Sequence, residues 1–190
     1  VTLKMAMSID SRIATKTYNS QWITGEEARH SSHFLRSKHD AILTGIGTVL
    51  ADNPFLNTRI SGLENRSPIR IILDTNLRIP IDSQIVSTAA KHETIIFTTV
   101  AAGETKKKQL ESFGLQIITI NGDKSGRVSL IEALRSIAKK GINSILVECG
   151  GTLCTEFIKS NLIDEFLVYR APIVLGGDGI AAVEGFGVSD

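Results

Sequence analysis

Four prolines, two cysteines and a 5% aromatic share are low for a chain of 190 residues, and the cysteine count already removes one class of protein. Cys149 and Cys154 are too few for a disulfide framework, and their spacing matches neither C-x-x-C nor a zinc ribbon, so both read as reduced core thiols. Long apolar runs are missing too. The longest uncharged apolar-rich stretch, Ala41 to Ala51, is interrupted by Thr44, Gly45, Gly47 and Thr48 and falls well short of the ~20 apolar residues that span a bilayer. The N-terminal VTLKMAMSIDSR has no basic region followed by an apolar stretch and a small-residue cleavage site, so no signal peptide is read there and a reducing, cytoplasmic setting is expected. The opening Val in place of Met is compatible with a piece of a longer polypeptide. Charge of one sign is also lacking: 21 Lys and Arg against 20 Asp and Glu leave +1. With a pI near 8.0, no strong field recruits nucleic acid or an anionic membrane. Any anion must be held by local geometry.

What is present is the composition of a folded globular protein, 42% hydrophobic and 22% charged, with a mean hydropathy of +0.10. The length fits one domain, residues 1–190. Val1 to Ser8 reads as a strand and IDSR after it as a turn. Thr24 and Glu27, three apart, form a capping-box signature for a helix from about Gly25 to Lys38. Ala41 to Thr44 is a short buried strand, and Thr48 to Ala51 a helical turn ended by Asp52-Asn53-Pro54. Ile69 to Leu73 and Thr94 to Thr98 are β-branched runs of the kind covered on both faces. Helices follow at Glu104 to Phe113, from a second capping box at Ser129 to Glu132 up to Gly141, and at Thr152 to Lys159. Strands are expected at Leu115 to Ile120, Ser144 to Glu148 and Glu165 to Val174, the last bent at Pro172. Seven or eight strands alternating with four or five helices predict an α/β protein with a largely parallel sheet.

The sharpest local signal is ILVECGGT, Ile145 to Thr152, a strand entering a Gly-Gly turn that opens a helix. Glycine lets backbone N–H groups approach an anion and the helix N-terminus adds its positive dipole end, so Gly150 and Gly151 are expected to face a nucleotide phosphate. A tight turn without a ligand accounts for the two glycines equally well. Gly45-Ile46-Gly47-Thr48 is a second turn of this type. The dinucleotide fingerprint G-x-G-x-x-G is not met, nor are G-x-x-x-x-G-K-[ST], G-x-S-x-G or H-E-x-x-H. His30, His33, His39 and His92 form no ligand constellation; His30 and His33 read as solvated or capping residues, and no metal is expected.

LKMAMSIDSRIAT (Leu3 to Thr15), SQWIT (Ser20 to Thr24), AILTGIGTVLADNPFLNTR (Ala41 to Arg59), PIRIILDT (Pro68 to Thr75), VECGGTL (Val147 to Leu153) and APIVLGG (Ala171 to Gly177) together resemble the reductase domain of the bacterial bifunctional riboflavin-biosynthesis deaminase/reductase. The resemblance covers nearly the whole chain, in order. It implies a dihydrofolate reductase-like α/β fold with a mixed, mainly parallel central sheet flanked by helices. The implied reaction is reduction of 5-amino-6-(5-phosphoribosylamino)uracil to the ribitylamino compound with NADPH.

By this resemblance the NADPH-contacting positions fall on Ala6, Trp22, Thr48, Asp52 and Thr75 and on the turn Gly150, Gly151, Thr152, Leu153, Cys154, Thr155 and Glu156. The substrate positions fall on Lys4, Ser20, Arg36, Leu56, Arg59 and Glu148, with Arg59, joined by Arg36, suited to a phosphate by its planar fork. Asp10 and Glu148 are candidates for orienting polar groups, and neither carries an assigned proton transfer. Arg78, three residues past Thr75, is a candidate for a 2′-phosphate, with pairing to Asp74 the competing role. The partner is a small phosphoribosyl-pyrimidine, a fused deaminase domain is expected in the native protein, and a homodimer is left open. The chain departs from the family pattern where Ser11 replaces the usual Gly after Asp10, where Cys149 stands for Gly or Ala, and where it ends at Asp190 without the expected closing segment. Its deaminase motif, H-x-E with P-C-x-x-C, is absent. Two rival readings stand beside this one: a pterin reductase of the dihydrofolate reductase type, and a nucleotide-binding module without turnover.

Overall fold

The computed structural model describes residues 1–20, 23–185 and 187. Its elements are β1 (Thr2–Ser8), β2 (Arg12–Ala14), α1 (Glu26–Lys38), β3 (Ala41–Gly45), α2 (Ile46–Asp52), a 3-10 turn (Glu64–Arg66), β4 (Ile69–Leu73), α3 (Gln84–Ser87), β5 (Thr94–Thr98), α4 (Glu104–Ser112), β6 (Gln116–Thr119), α5 (Leu130–Lys139), β7 (Ile145–Glu148), α6 (Gly151–Lys159), β8 (Glu165–Ala171) and β9 (Ile180–Ala181). Seven strands form one sheet in the order β6-β5-β4-β3-β7-β1-β8, every pairing parallel, and among the described residues antiparallel pairing occurs between β2 and β9 and at an isolated bridge of Gly122 with Val128.

Alternation along each strand sends neighbouring side chains to opposite faces, so a sheet covered on both sides reads as a continuous apolar run. Leu43, Ile71, Ile95 and Val147 pack with Ala133, Ile137, Cys154 and Phe157 of α5 and α6. Ile42, Ile72 and Ile96 pack on the other face with Val49, Ile85, Val86 and Leu110 of α2, α3 and α4. Two cores therefore sandwich the sheet. The helix α1 is the exception: its buried residue is Ser32, and its inward side also carries His33 and Arg36. A helix that turns polar groups onto a sheet gains little from apolar burial and marks a candidate functional site.

The expected elements lie close to where periodicity put them, with local differences that have physical reasons. The helix α1 starts on Gly25 with no side-chain cap, so the Thr24 to Glu27 capping box does not form. At α5 half of the box forms: the Ser129 hydroxyl accepts from the Glu132 N–H at 3.4 Å, whereas the Glu132 carboxylate accepts from Asn121 instead of reaching back. The strand β8 stops at Ala171, before Pro172. The strands β2 and β9, with three and two residues, are too short to show a period. Ser11, which stands where the family pattern has Gly, holds φ at 59°. That left-handed backbone is the reason glycine is usual there.

One side chain breaks the apolar rule of β4. Arg70 is completely buried and faces no carboxylate among the described residues. Its Nε donates to Thr94 Oγ1 at 2.9 Å, Nη1 to the Phe55 carbonyl at 3.2 Å and Thr88 Oγ1 at 2.8 Å, and Nη2 to the carbonyls of Ile85 at 2.9 Å and His92 at 3.1 Å and to Thr94 Oγ1 at 2.7 Å. Burial pulls the group down to about 10, still cationic at neutral pH. The guanidinium thus draws three separate connections onto the end of one strand. Arg70→Met is expected to lower unfolding free energy by about 3 kcal/mol or more, since several buried acceptors lose their donors at once. Arg70→Lys, with three donors in place of five, restores only part. Urea unfolding of the two variants checks this; a Met variant as stable as the parent would refute it.

Candidate functional site

In an open parallel sheet the crevice for a ligand lies beyond the carboxyl ends of the strands, where crossovers leave for opposite faces. Here that place is around β7, between β3 and β1. Two groups of residues gather there.

The first is polar and lies between α1 and the sheet. Register pairs Lys4 of β1 with Glu148 at the end of β7. Arg36 of α1 clasps the Glu148 carboxylate with both edges of its fork, Nε to Oε1 at 2.9 Å and Nη2 to Oε2 at 3.0 Å, while Lys4 Nζ stands 3.7 Å from Oε2. Arg36 Nη1 donates to the Asn57 carbonyl at 3.1 Å. The same carbonyl is 3.2 Å from His33 Nδ1, and His33 Nε2 accepts from Arg59 Nε at 3.2 Å, which requires the neutral ring with its proton on Nδ1. Lys4 Nζ also lies 5.5 Å from the centre of the Tyr169 ring, and the Tyr169 hydroxyl meets Ser31 Oγ at 2.7 Å.

Three cations against one carboxylate give this cluster a net of two positive charges. Burial pushes Glu148 up, but Arg36 and Lys4 outweigh it and hold the carboxyl at about 2. The group is an acceptor and no proton donor at neutral pH. Burial, with Arg36 and Arg59 alongside, pushes His33 down to about 4. His33 is therefore a working member of the cluster, contrary to the solvated or capping role read from sequence; His30 is exposed as expected. The helical i, i+3 spacing of His33 and Arg36 was visible, but Asn57 and Arg59 reach them only through the fold.

The second group surrounds the start of α6. Gly150 is its N-cap, and a Cβ there would meet nothing within 4 Å. Gly151 is different: its Cβ would stand 2.5 Å from the Ala181 carbonyl oxygen. The residue must be glycine because β9 passes over it, a reason that involves no ligand, whereas the space a side chain at Gly150 would enter is open. Around it, Thr152 Oγ1 donates to Glu184 Oε1 at 2.5 Å, and Thr155 Oγ1 donates to the Gly151 carbonyl at 2.8 Å and accepts from the Glu184 N–H at 2.8 Å. Cys154 is wholly buried in the core, Leu153 lies within reach of Gly45, and Glu156 pairs with Arg127 at 3.5 Å. Of this run, the side chains of Cys154 and Thr155 face inward.

Gly45 heads α2, so the two glycine turns are neighbours at the crevice, and Thr48 lies half-buried in the first turn of α2. At the other end of α2, Asp52 accepts from Ser20 Oγ at 3.3 Å, and burial raises its pKa. Ala6 sits on β1 two residues past Lys4 and on the same face. Thr75 follows β4, its hydroxyl accepting from the Val128 N–H at 3.2 Å. Leu56 is 3% exposed and packed in the core, with φ at 53°, so only its backbone borders the site. Trp22 lies outside the described residues. Asp10 turns to the protein itself: its carboxylate accepts from the Ser8 hydroxyl at 2.6 Å and from the N–H groups of Leu175 at 3.1 Å and Gly176 at 2.8 Å, which hold it at about 2. Arg36 has its whole fork engaged by Glu148 and Asn57, which leaves Arg59 as the exposed guanidinium of the cluster. Arg78 is exposed and Asp74 bonds the Ile79 N–H, so the Asp74 to Arg78 pair does not form. Among the described residues no helix is long and apolar enough to cross a membrane.

A parallel, doubly covered sheet with a cationic crevice beside an open helix N-terminus defines an α/β protein of the dihydrofolate reductase-like kind. The chain belongs to the RibD C-terminal domain family, whose model matches residues 1–190. It is 40% identical over 177 residues to the riboflavin biosynthesis protein RibD of Bacillus amyloliquefaciens, covering 93% of this chain and 46% of that protein. It is 31% identical over 185 residues to the 2,5-diamino-6-ribosylamino-4(3H)-pyrimidinone 5′-phosphate reductase of Archaeoglobus fulgidus, covering 93% of this chain and 82% of that one. A solved diaminohydroxyphosphoribosylaminopyrimidine deaminase/5-amino-6-(5-phosphoribosylamino)uracil reductase from Thermotoga maritima superposes with a TM-score of 0.76 at 27% identity, over all of this chain and 48% of that one. The chain spans about half the length of most of the curated relatives it matches.

Two expectations follow from the geometry. Gly151→Ala is expected to cost about 1 to 3 kcal/mol by forcing Ala181 away, whereas Gly150→Ser keeps parental stability because its Cβ and hydroxyl enter open space at a cap position; equal melting temperatures for the two would refute this. The second concerns acid. Glu148 drops from its ordinary 4.5 to about 2 on folding, so its contribution is present above 4.5 and is lost as pH falls toward 2. His33 drops from 6.5 to about 4, so between those values the unfolded chain takes up a proton that the folded one refuses, and stability falls as pH falls through that window. Melting curves across pH 7 to 4 should show the His33 part vanish in His33→Gln; an unchanged slope in that variant would disprove it.

Proposed function

We propose that this chain reduces 5-amino-6-(5-phosphoribosylamino)uracil to 5-amino-6-(5-phosphoribitylamino)uracil with NADPH. The observation that carries the reading is the cluster of half-buried Lys4, Arg36, Glu148 and His33 with exposed Arg59 at the strand ends: in a chain with almost no net charge, it is a local concentration of cations suited to a phosphorylated substrate. Names of relatives support it, since one is a pyrimidinone phosphate reductase and another carries the phosphoribosylaminouracil reductase.

The residues fit a dinucleotide beside this cluster. Gly150 leaves room for a pyrophosphate against the first N–H groups of α6, where the dipole favours an anion. In this reading Thr48, Asp52, Ala6 and Thr75 contact the cofactor, and exposed Arg78 meets its 2′-phosphate. NADPH, when bound, supplies a hydride. Reduction then requires the ribosylamine ring to open: the C1–O4 bond breaks, a proton reaches O4, the amine loses one to leave a C1=N imine, and hydride addition at C1 with a proton to nitrogen completes the product. In this reading Lys4 donates to the sugar oxygens, while Glu148 faces it as an ion pair, accepts from Arg36 and remains ionised throughout. Arg59 holds the phosphate, while Arg36 positions Glu148 and Asn57. Orientation of this kind can lower a barrier by several kcal/mol.

Fusion to a deaminase domain in the native protein belongs to the same reading, supported by relatives about twice this length, and a cytoplasmic setting goes with it. NADPH oxidation followed at 340 nm with the phosphoribosylaminouracil is expected to show turnover, with none on dihydropterin. Arg59→Ala should lose roughly ten- to a hundredfold in kcat/KM, the effect of one charge-assisted contact. Cofactor binding without oxidation would make the chain a nucleotide-binding module.

A further inference from the structure

Arg59 lies in a loop on a long, exposed side chain, which by itself would hold a guanidinium loosely. Such a side chain loses about 2 kcal/mol of rotamer freedom when a ligand pins it. The structure shows it already held at one point. Its Nε is engaged by His33 Nε2 at 3.2 Å, and no other partner of Arg59 is found among the described residues, so both Nη groups remain available. His33 in turn is not free to rotate, because Nδ1 is tied to the Asn57 carbonyl, and that carbonyl is fixed independently by Arg36 Nη1, which is locked onto Glu148. A rigid chain therefore runs from the end of β7 through α1 to the Nε edge of Arg59.

We propose that His33 is the positioning residue of the phosphate subsite: its neutral ring, braced on the Asn57 carbonyl, accepts from Arg59 Nε and aims the opposite edge of that guanidinium, two parallel N–H donors, at the substrate's phosphate. A neutral acceptor suits this task. A carboxylate in its place would neutralise Arg59 and compete with the phosphate, and a second cation would repel it. Burial of the ring, with Arg36 and Arg59 beside it, disfavours its protonation against the smaller opposing pull of the Asn57 carbonyl and Glu148, so the acceptor persists at neutral pH. The proposal rests on the reading of this crevice as a phosphoribosyl site.

The test separates the two readings by using a probe that needs no turnover. Ribose 5-phosphate, with ribose as the uncharged control, is titrated calorimetrically into the parent chain, His33→Ala, His33→Gln, Arg59→Ala and the double variant of Ala at both positions, each first shown to be folded by circular dichroism. His33→Ala should weaken ribose 5-phosphate about tenfold, the worth of one oriented charge-assisted bond, and leave ribose unchanged. His33→Gln, whose side-chain oxygen can accept from Arg59 Nε, should recover most of the loss. In the Arg59→Ala background the His33→Ala change should add nothing further. In steady state, His33→Ala should raise KM for the phosphoribosylaminouracil while kcat holds. Parental affinity in His33→Ala, an undiminished loss in the Arg59→Ala background, or failure of Gln to rescue would each overturn the assignment. Parental binding of ribose 5-phosphate that depends on His33, without turnover of the phosphoribosylaminouracil, would instead leave His33 in place and remove the reductase reading.

Discussion

A buried guanidinium must have its N–H groups satisfied, and this fold twice meets that demand with carbonyls of the same loop. Arg70, sealed inside β4, takes the Phe55 carbonyl along with those of Ile85 and His92. Arg36, from α1, takes the Asn57 carbonyl while its other edge clasps Glu148. Leaving any of these donors bare in a low-dielectric interior would cost on the order of 1 to 3 kcal/mol each. The connection that follows α2 is thus tied at two points only two residues apart, from opposite ends of the strands. That is why a loop with Leu56 in left-handed backbone can still present Arg59 at a fixed place.

The same constraint shapes the electrostatics. Because Arg36 is consumed by Glu148 and Asn57, its charge is felt in the crevice without its hydrogen bonds being offered there. Division of labour among like residues results: one arginine builds the floor and another, Arg59, leaves its Nη groups uncommitted among the described residues. Glu148 is kept ionised by its partners against the pull of burial, so it orders its surroundings as an acceptor and holds no proton to give at neutral pH. Around the neighbouring helix start, the segment from Gly179 to Glu184 closes one side of the Gly-Gly turn and leaves the other open. Of the two adjacent glycines, Gly151 is the one that packing requires.

Much of the layout was legible in the chain. The runs IRIIL and TIIFT became strands at the stated residues, since a strand covered on both faces needs apolar side chains at successive positions whatever its neighbours are. Ser129 capped its helix because the hydroxyl and the N–H three residues on are brought together by local geometry alone. Thr24 did not, since the chain enters α1 by way of Gly25. The Lys4, Arg36, Arg59 and Glu148 positions came from a family resemblance rather than from spacing, and the structure gathers all four within one network. Leu56 and Cys154 came the same way and lie with their side chains in the core.

By itself the sequence determined the strand and helix periods, the parallel α/β class that follows from their alternation, and the need for local rather than global attraction of an anion. These depend on neighbours within one turn of helix or one strand. Tertiary structure alone decided that His33 stands between two guanidinium groups, that Arg36 spends its fork on Glu148 over a separation of 112 residues, and that Ala181 sits over Gly151. Each joins segments distant along the chain, whose meeting is set by strand order and by the demand of buried charges for partners. No local pattern encodes it.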